Sequence, residues 1–261
     1  MSKRRYTTQL QAGLGMVTET RALLGLWHQG MTAAKLYAVA LDSGDFPGVS
    51  ARRLQNIISE CFASRLLTND GRPAAYLKAL LPFLDLRDFE QILLIYASRA
   101  NVILEDFIRD IYWNAYAAGH ILLTNQDAYA FVIKANQLGN TTKPWSENTI
   151  RRVASYLTGA CADFGLLEYG AKSTRKILPF KMEWKAAIAL AYDLHFSGAG
   201  DNMVVADNAW TLFGMTRADT IEELRRLSRK GFIIVQAAGD VIRIGWQYKK
   251  PEELANAFAA I

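Results

Sequence analysis

Basic and short polar side chains are spaced along one predicted helix so that they could bind nucleic-acid phosphates. Ser146 is a good N-cap for this helix, and Ile150 and Leu157 mark its buried stripe. The candidate contact residues in the turn before the cap and on the opposite helix face are Lys143, Asn148, Thr149, Arg151, Arg152 and Ser155. Arginine and lysine bind phosphates, and arginine and asparagine can also bind base edges through two hydrogen bonds. The pattern predicts a nucleic-acid-binding surface, and the alternative is a solvated helix face.

A basic hairpin is predicted directly after this helix, with strands at residues 166–169 and 174–180 around a turn at 170–173. Its candidate contact residues are Lys172, Arg175 and Lys176. In a winged helix-turn-helix domain the third helix lies in the major groove, and the hairpin, or wing, lies over a phosphate backbone. We therefore expect the helix and the wing to bind duplex DNA together. The alternative is a charged hairpin tip on a domain that mediates protein contacts.

Two other predicted helices also carry arginine pairs. Arg52 and Arg53 lie in the first turn of a helix capped by Ser50, where cations oppose the helix dipole, so a functional role is favoured. Arg225 and Arg229 lie near the end of a helix that begins at Thr216, where cations complement the dipole. For this second pair, a role in helix stability and a role in DNA contact are equally good explanations. The basic arm Lys3–Arg5 could reach a phosphate, although a disordered tail is the commoner case.

The positions of the basic residues along the chain are more informative than the net charge. The formal net charge is only +5. Residues 1–65, 143–185 and 217–250 nevertheless each contain eight basic and four acidic residues. Each of these blocks includes one of the capped helices described above. Positive charge placed in this way indicates an anionic partner more strongly than the net charge alone.

The elements that must position these residues are mostly helices, so we predict a mainly α fold. A three-helix N-terminal unit and a helical core are followed by tandem winged helix-turn-helix-like units with short β-hairpins. The order helix, helix, helix, hairpin occurs around residues 102–182 and again around 184–248. We expect three domains: an N-terminal three-helix unit at 1–70, a central region with the first winged unit at 71–182, and a second winged unit at 183–261.

Signatures of enzymes and bound cofactors are missing from the sequence. The three histidines have no metal-ligand spacing with each other or with the cysteines, and there is no phosphate-binding loop or nucleophile elbow. Asp106 and Asp110 are more consistent with an ion-paired surface around Arg109 than with a catalytic pair. We expect no enzymatic activity, no cofactor and no metal.

Features that determine cellular location favour the cytoplasm. Cys61 and Cys161 are too few and too far apart in sequence for a disulfide framework. The N-terminus lacks the apolar region of a secretory signal, and no apolar run approaches the length of a membrane span. We expect a soluble cytoplasmic protein with no membrane contact. The sequence has no heptad repeat, so it does not indicate an oligomeric state.

Several segments in order resemble the BrxA family, small non-enzymatic components of BREX bacteriophage-defence systems. These segments are residues 6–15, 50–54, 142–157, 191–196 and 239–244. The resemblance covers nearly the whole chain and implies a helical DNA-binding protein whose helical part is similar to the NusB-type antitermination fold. It also implies that the protein is encoded beside a DNA methyltransferase, an ATPase and an alkaline-phosphatase-like protein. Some family members have been labelled inner-membrane proteins, and the absence of an apolar span in this sequence argues against that label.

Together the residues and the resemblance predict a non-enzymatic protein that binds double-stranded DNA mainly through phosphate contacts. Two alternatives stay open. The NusB-like similarity would suit an RNA-binding protein. Winged units would also suit a scaffold that docks the other defence proteins, namely the methyltransferase, the ATPase or the phosphatase-like protein.

Overall fold

The protein is described by a computed structural model that covers residues 5–12, 14–170, 172–238 and 241–260. It is mainly helical with two small antiparallel sheets, which confirms the predicted fold class. The chain divides into two compact units, one of Met1–Ala75 with Leu93–Phe180 and the other of Tyr76–Ile92 with Lys181–Ile261. The division into three domains stays a prediction.

The N-terminal part of the first unit contains the helices predicted there. They are α1 (Val17–Leu26), α2 (Ala33–Ser43), α3 (Ala51–Asn56) and α4 (Ala63–Leu66). The hydroxyls of Thr32 and Ser50 accept backbone N–H bonds and cap α2 and α3, as expected of these residues. The sequence predicts one continuous helix over 51–66, but a π-helical turn at Ile57–Phe62 separates α3 from α4. A π turn adds one residue to the helix, which an apolar pattern alone does not reveal.

The central helices follow the predicted order with one interruption of the same kind. They are α5 (Arg72–Leu80), α6 (Leu86–Ala100), α7 (Val102–Phe107) and α8 (Trp113–Ala117). A π-helical turn at Ile108–Tyr112 separates α7 from α8, where the sequence predicts a single helix. Arg109, in this turn, pairs with the carboxylates of Glu105 and Asp106, which confirms the expected ion pair of Asp106.

The first unit ends in two helices and a small sheet. Its elements are β1 (Leu122–Thr124), α9 (Asn125–Gln137), α10 (Glu147–Asp163) and β2 (Thr174–Lys176). Of the predicted hairpin the structure has a short pairing, in which the Glu168 N–H donates to the Lys176 carbonyl at 2.8 Å and Leu167 forms a single antiparallel bridge with Ile177. Residue 171 of its predicted turn lies outside the described residues. β1 pairs with β2 in antiparallel register and was not predicted, since three residues are too few to show strand alternation.

The second unit has a similar order of elements. It contains α11 (Trp184–Phe196), α12 (Asp201–Ala206), a 3₁₀ helix (Asn208–Phe213), α13 (Arg217–Ser228), β3 (Ile233–Ala238), β4 (Val241–Trp246) and α14 (Pro251–Ala259). Thr216 and Asp219 form the predicted capping box of α13. β3 and β4 form the predicted antiparallel hairpin, whose turn at Gly239 lies outside the described residues. α12 occupies a segment for which no helix was predicted.

A short N-terminal segment, residues 14–16, packs against the end of α10. The Gly15 N–H donates to Asp163 Oδ2 at 2.8 Å, and Arg65 donates to the Leu14 and Gly15 carbonyls at 2.7 and 2.8 Å. A Cβ at Gly159 would lie 2.9 Å from the Leu14 side chain, so glycine permits this approach. Lys3 and Arg4 of the predicted basic arm lie outside the described residues, and Arg5 is exposed.

Asp88, in the first turn of α6, is expected to make stability depend on pH. Burial and the nearby Asp85 carboxylate raise the pKa of Asp88 to about 6. Because the folded-state pKa lies above the unfolded value, the folded chain retains the proton more strongly. The resulting stabilisation is complete below about pH 4 and is lost as the pH rises towards 6. Across this window we expect the Asp88→Asn variant to gain about 3 kcal/mol relative to wild type in its free energy of unfolding.

Urea unfolding at several pH values between 4 and 7 measures this difference. Asp42→Asn, at an exposed position of α2, controls for the loss of one carboxylate. Parallel pH profiles for wild type and Asp88→Asn would show that Asp88 does not titrate in this range.

Candidate nucleic-acid interface

α10 presents a polar and basic face opposite its buried stripe. The Ser146 hydroxyl accepts the Thr149 N–H at 3.4 Å and caps the helix. Ile150, Val153 and Leu157 are buried. The predicted contact residues Asn148, Arg151, Arg152 and Ser155 are exposed, and Thr149 is half-buried. Lys143, in the turn before the cap, is also exposed. The helix thus places these side chains where an external ligand can reach them.

Arg151 is held in place by two neighbours that sequence reasoning missed. Its guanidinium lies 2.7 Å from Glu147 Oε1 and 5.2 Å from the centre of the Tyr129 ring. The Tyr129 hydroxyl donates to the same carboxylate at 3.0 Å, and this bond raises the pKa of Tyr129. The i,i+4 spacing of Glu147 and Arg151 could have indicated the ion pair, whereas Tyr129 comes from another helix. Glu147 therefore competes with any phosphate for Arg151.

The wing separates its three basic residues. Lys176 is exposed, and Lys172 is exposed but pairs with Glu168 Oε2 at 2.9 Å. Arg175 is only 7% exposed and donates to the Glu168 carbonyl at 3.0 Å. Successive residues of a strand point to opposite faces, so Arg175 and Lys176 cannot share one surface. The structure therefore places Arg175 inside the unit, contrary to its predicted position on the contact surface.

The other predicted arginines lie apart from α10 in the sequence and have different surroundings. In the first unit, Arg52 is exposed and Arg53 is half-buried at the start of α3. In the second unit, Arg225 and Arg229 are exposed on α13. They line a shallow groove together with Met215, Asp219, Glu222, Glu223 and Arg226. Because carboxylates balance the guanidinium groups of this groove, it is a weaker phosphate site than the exposed face of α10.

Within residues 5–12, 14–170, 172–238 and 241–260 no group of three or more His, Cys, Asp or Glu side chains could hold a metal ion. Cys61 and Cys161 are free and buried. His195 stacks on Trp246 with ring centres 4.1 Å apart, and burial lowers its pKa. In the described part of the chain no helix is both long and apolar enough to cross a membrane.

Comparisons with known proteins identify the family. A search of curated proteins found no match. The crystal structure of an uncharacterized protein from Magnetospirillum magneticum shares the fold, with a TM-score of 0.58 and 14% identity over 73% of this chain and 94% of that chain. The family model for BrxA matches residues 4–191. This chain therefore belongs to the BrxA family, whose members are associated with BREX defence systems.

Proposed function

We propose that this protein binds double-stranded DNA and has no enzymatic activity of its own. In this proposal α10 acts as the recognition helix of a winged helix-turn-helix unit, and the hairpin after it acts as the wing. The exposed face of α10 carries the proposal, because Asn148, Arg152 and Ser155 project from the face of a capped helix that lies opposite its buried stripe. The helix N-terminus adds a partial positive charge on the side where Lys143 lies.

Most of the binding energy is expected to come from phosphates. The exposed cations of the proposed surface are Lys143, Arg151, Arg152, Lys172 and Lys176. If each neutralises one phosphate, the logarithm of the binding constant falls with the logarithm of salt concentration at a slope of about −4.5. Two of these cations already have carboxylate partners, which weakens their contribution. We therefore expect weak sequence selectivity and strong sensitivity to salt.

A competition experiment tests this function. Duplex DNA and structured RNA of equal length are titrated with the protein in mobility-shift assays at about 50 and about 200 mM salt. We expect DNA to be preferred and its affinity to fall by about two orders of magnitude over this range. A preference for RNA would favour the RNA-binding alternative. Failure to retain either nucleic acid, with co-purification of other BREX proteins, would favour the scaffold.

A further inference from the structure

The exposed face of α10 has short neutral side chains in its middle and arginines on both sides. Successive residues of an α-helix are turned by about 100°, so Ser155 projects within about 20° of Asn148. Arg151 projects about 60° to one side of Asn148, and Arg152 projects about 40° to the other. All four side chains are exposed, whereas Leu157, on the opposite side of the helix, is buried. Asn148 and Ser155 therefore mark the middle of the exposed face.

This order of side chains suits a helix that lies in the major groove. An α-helix with its side chains is about 10–12 Å across, and the major groove is about 12 Å wide. A helix in the groove turns the middle of its exposed face towards the base edges and its flanks towards the two phosphate backbones. Recognition helices contact bases with their N-terminal residues. Asn148 lies in the first turn of α10, and Ser155 lies two turns further on, so Asn148 is the better placed of the two.

Asn148 also has no internal partner, unlike its neighbours. Glu147 pairs with Arg151 at 2.7 Å, and the Thr149 hydroxyl lies 3.0 Å from the Ser146 hydroxyl. Among the residues that the structure describes, the Asn148 carboxamide forms no hydrogen bond. Its N–H and C=O groups are therefore both available to a ligand.

The carboxamide matches one base better than the other three. It presents a donor and an acceptor side by side. In the major groove adenine presents the N7 acceptor beside the N6 amino donor, whereas guanine presents two acceptors, and cytosine and thymine present one polar group each. Only adenine can therefore satisfy both groups of Asn148. The Ser155 hydroxyl can donate or accept, so it matches any base and does not discriminate.

We propose that Asn148 gives α10 a preference for adenine in the major groove, where its amide N–H donates to N7 and its C=O accepts from the N6 amino group. The preference rests on the DNA binding proposed above. A two-bond contact of this kind favours adenine over guanine at the contacted position by about 10-fold. Because phosphate contacts supply most of the affinity and do not distinguish bases, the overall selectivity stays weak.

Base substitution in the DNA tests this contact on the unaltered protein. Replacing every adenine of a short duplex with 7-deazaadenine removes the N7 acceptor and keeps the sequence, the base pairing and the charge. In fluorescence anisotropy titrations of the full chain, we expect this duplex to bind about 5-fold more weakly than the unmodified one. A duplex in which 7-deazaguanine replaces every guanine is the control for altered groove hydration, and it should bind within about 2-fold of the unmodified one.

A variant assigns the effect to Asn148. Asn148→Ala is expected to bind unmodified DNA about 5-fold more weakly and to bind the 7-deazaadenine duplex equally well. Because the lost contact is neutral, the slope of log K against log salt should stay at the wild-type value. Asn208→Ala removes an exposed carboxamide of the second unit, and it should keep both the wild-type affinity and the wild-type response to 7-deazaadenine.

Two results would show that Asn148 does not contact adenine. Wild type could bind the 7-deazaadenine and unmodified duplexes equally, or Asn148→Ala could retain the difference between them. In either case the binding of duplex DNA would still stand. Failure of wild type to retain any of the duplexes would overturn the proposed function and the adenine preference together.

Discussion

Replacing Lys143, Arg152 and Lys176 together with alanine is expected to weaken binding to duplex DNA by about 100-fold at physiological salt. All three side chains are exposed, and each would neutralise a phosphate of its own. The loss should be similar for unrelated DNA sequences, because phosphate contacts do not read bases. The salt dependence should change with the affinity, and we expect the slope of log K against log salt to become less negative by about 3. Fluorescence anisotropy at several salt concentrations measures both quantities.

A matched variant tests whether the loss of affinity comes from local phosphate contacts or from the lower net charge. Lys35, Lys249 and Lys250 are exposed and lie outside the predicted contact surface, so their triple alanine variant loses the same total charge. We expect it to bind within about 3-fold of wild type, since none of these three lysines would contact a phosphate in the proposed interface. If the two triple variants lose equal affinity, α10 and its wing are not the principal contact.

Removing Glu147 should change affinity in the opposite direction. This carboxylate holds Arg151 at 2.7 Å and would lie close to a phosphate bound there. Glu147→Gln keeps the shape of the side chain and is expected to strengthen DNA binding by about 3-fold, the effect of removing one exposed charge. Unchanged affinity would indicate that Arg151 lies outside the interface.

The sequence predicted the helix at the centre of the proposed surface because its features are local. The Ser146 cap and the buried positions Ile150 and Leu157 follow directly from helical periodicity, and the structure has them. The exposure of the wing residues could not be predicted from local features in the same way. Because both residues are basic, the sequence predicted that Arg175 and Lys176 share the contact surface. Strand register determines which of the two faces solvent, and that register depends on pairing with β1.

Contacts between distant parts of the chain could not be predicted from spacing. Tyr129 reaches Glu147 from another helix. The side chains of Asp201 and Asn202 take the place of a third strand in the second unit, and only the folded backbone shows which N–H groups they accept. The mainly α class was correct because it depends on the number of long apolar repeats, which a few such contacts do not alter.

Arg65→Met is expected to destabilise the protein by about 3–5 kcal/mol, the cost of removing one partner from a buried charged network. Arg65 is 3% exposed, and its guanidinium donates to the carbonyls of Leu14 and Gly15. Methionine fills much of the volume but offers no donor, so both carbonyls would lose these hydrogen bonds in a dry site. The nearby carboxylate of Asp163, which accepts the Gly15 N–H, would also lose the attraction of the Arg65 charge. Because domains are stable by only about 5–15 kcal/mol, this loss is a large fraction of the total.

Arg65→Met should also release the N-terminal segment, residues 14–16, from α10. Leu14 sits against Gly159 of α10, so release of the N-terminal segment would uncover the C-terminal half of that helix rather than its exposed basic face. Urea unfolding measures the loss of stability, and hydrogen exchange of the amides of Gly15 and the last turns of α10 reports local release. Lys35→Met, at an exposed position of α2, is the control and is expected to change stability by less than about 0.5 kcal/mol. A loss as small as the control's, with the Gly15 amide still protected, would mean that Asp163 alone anchors the segment. DNA affinity measured below the unfolding transition should stay near wild type, because the exposed cations of α10 do not contact Arg65.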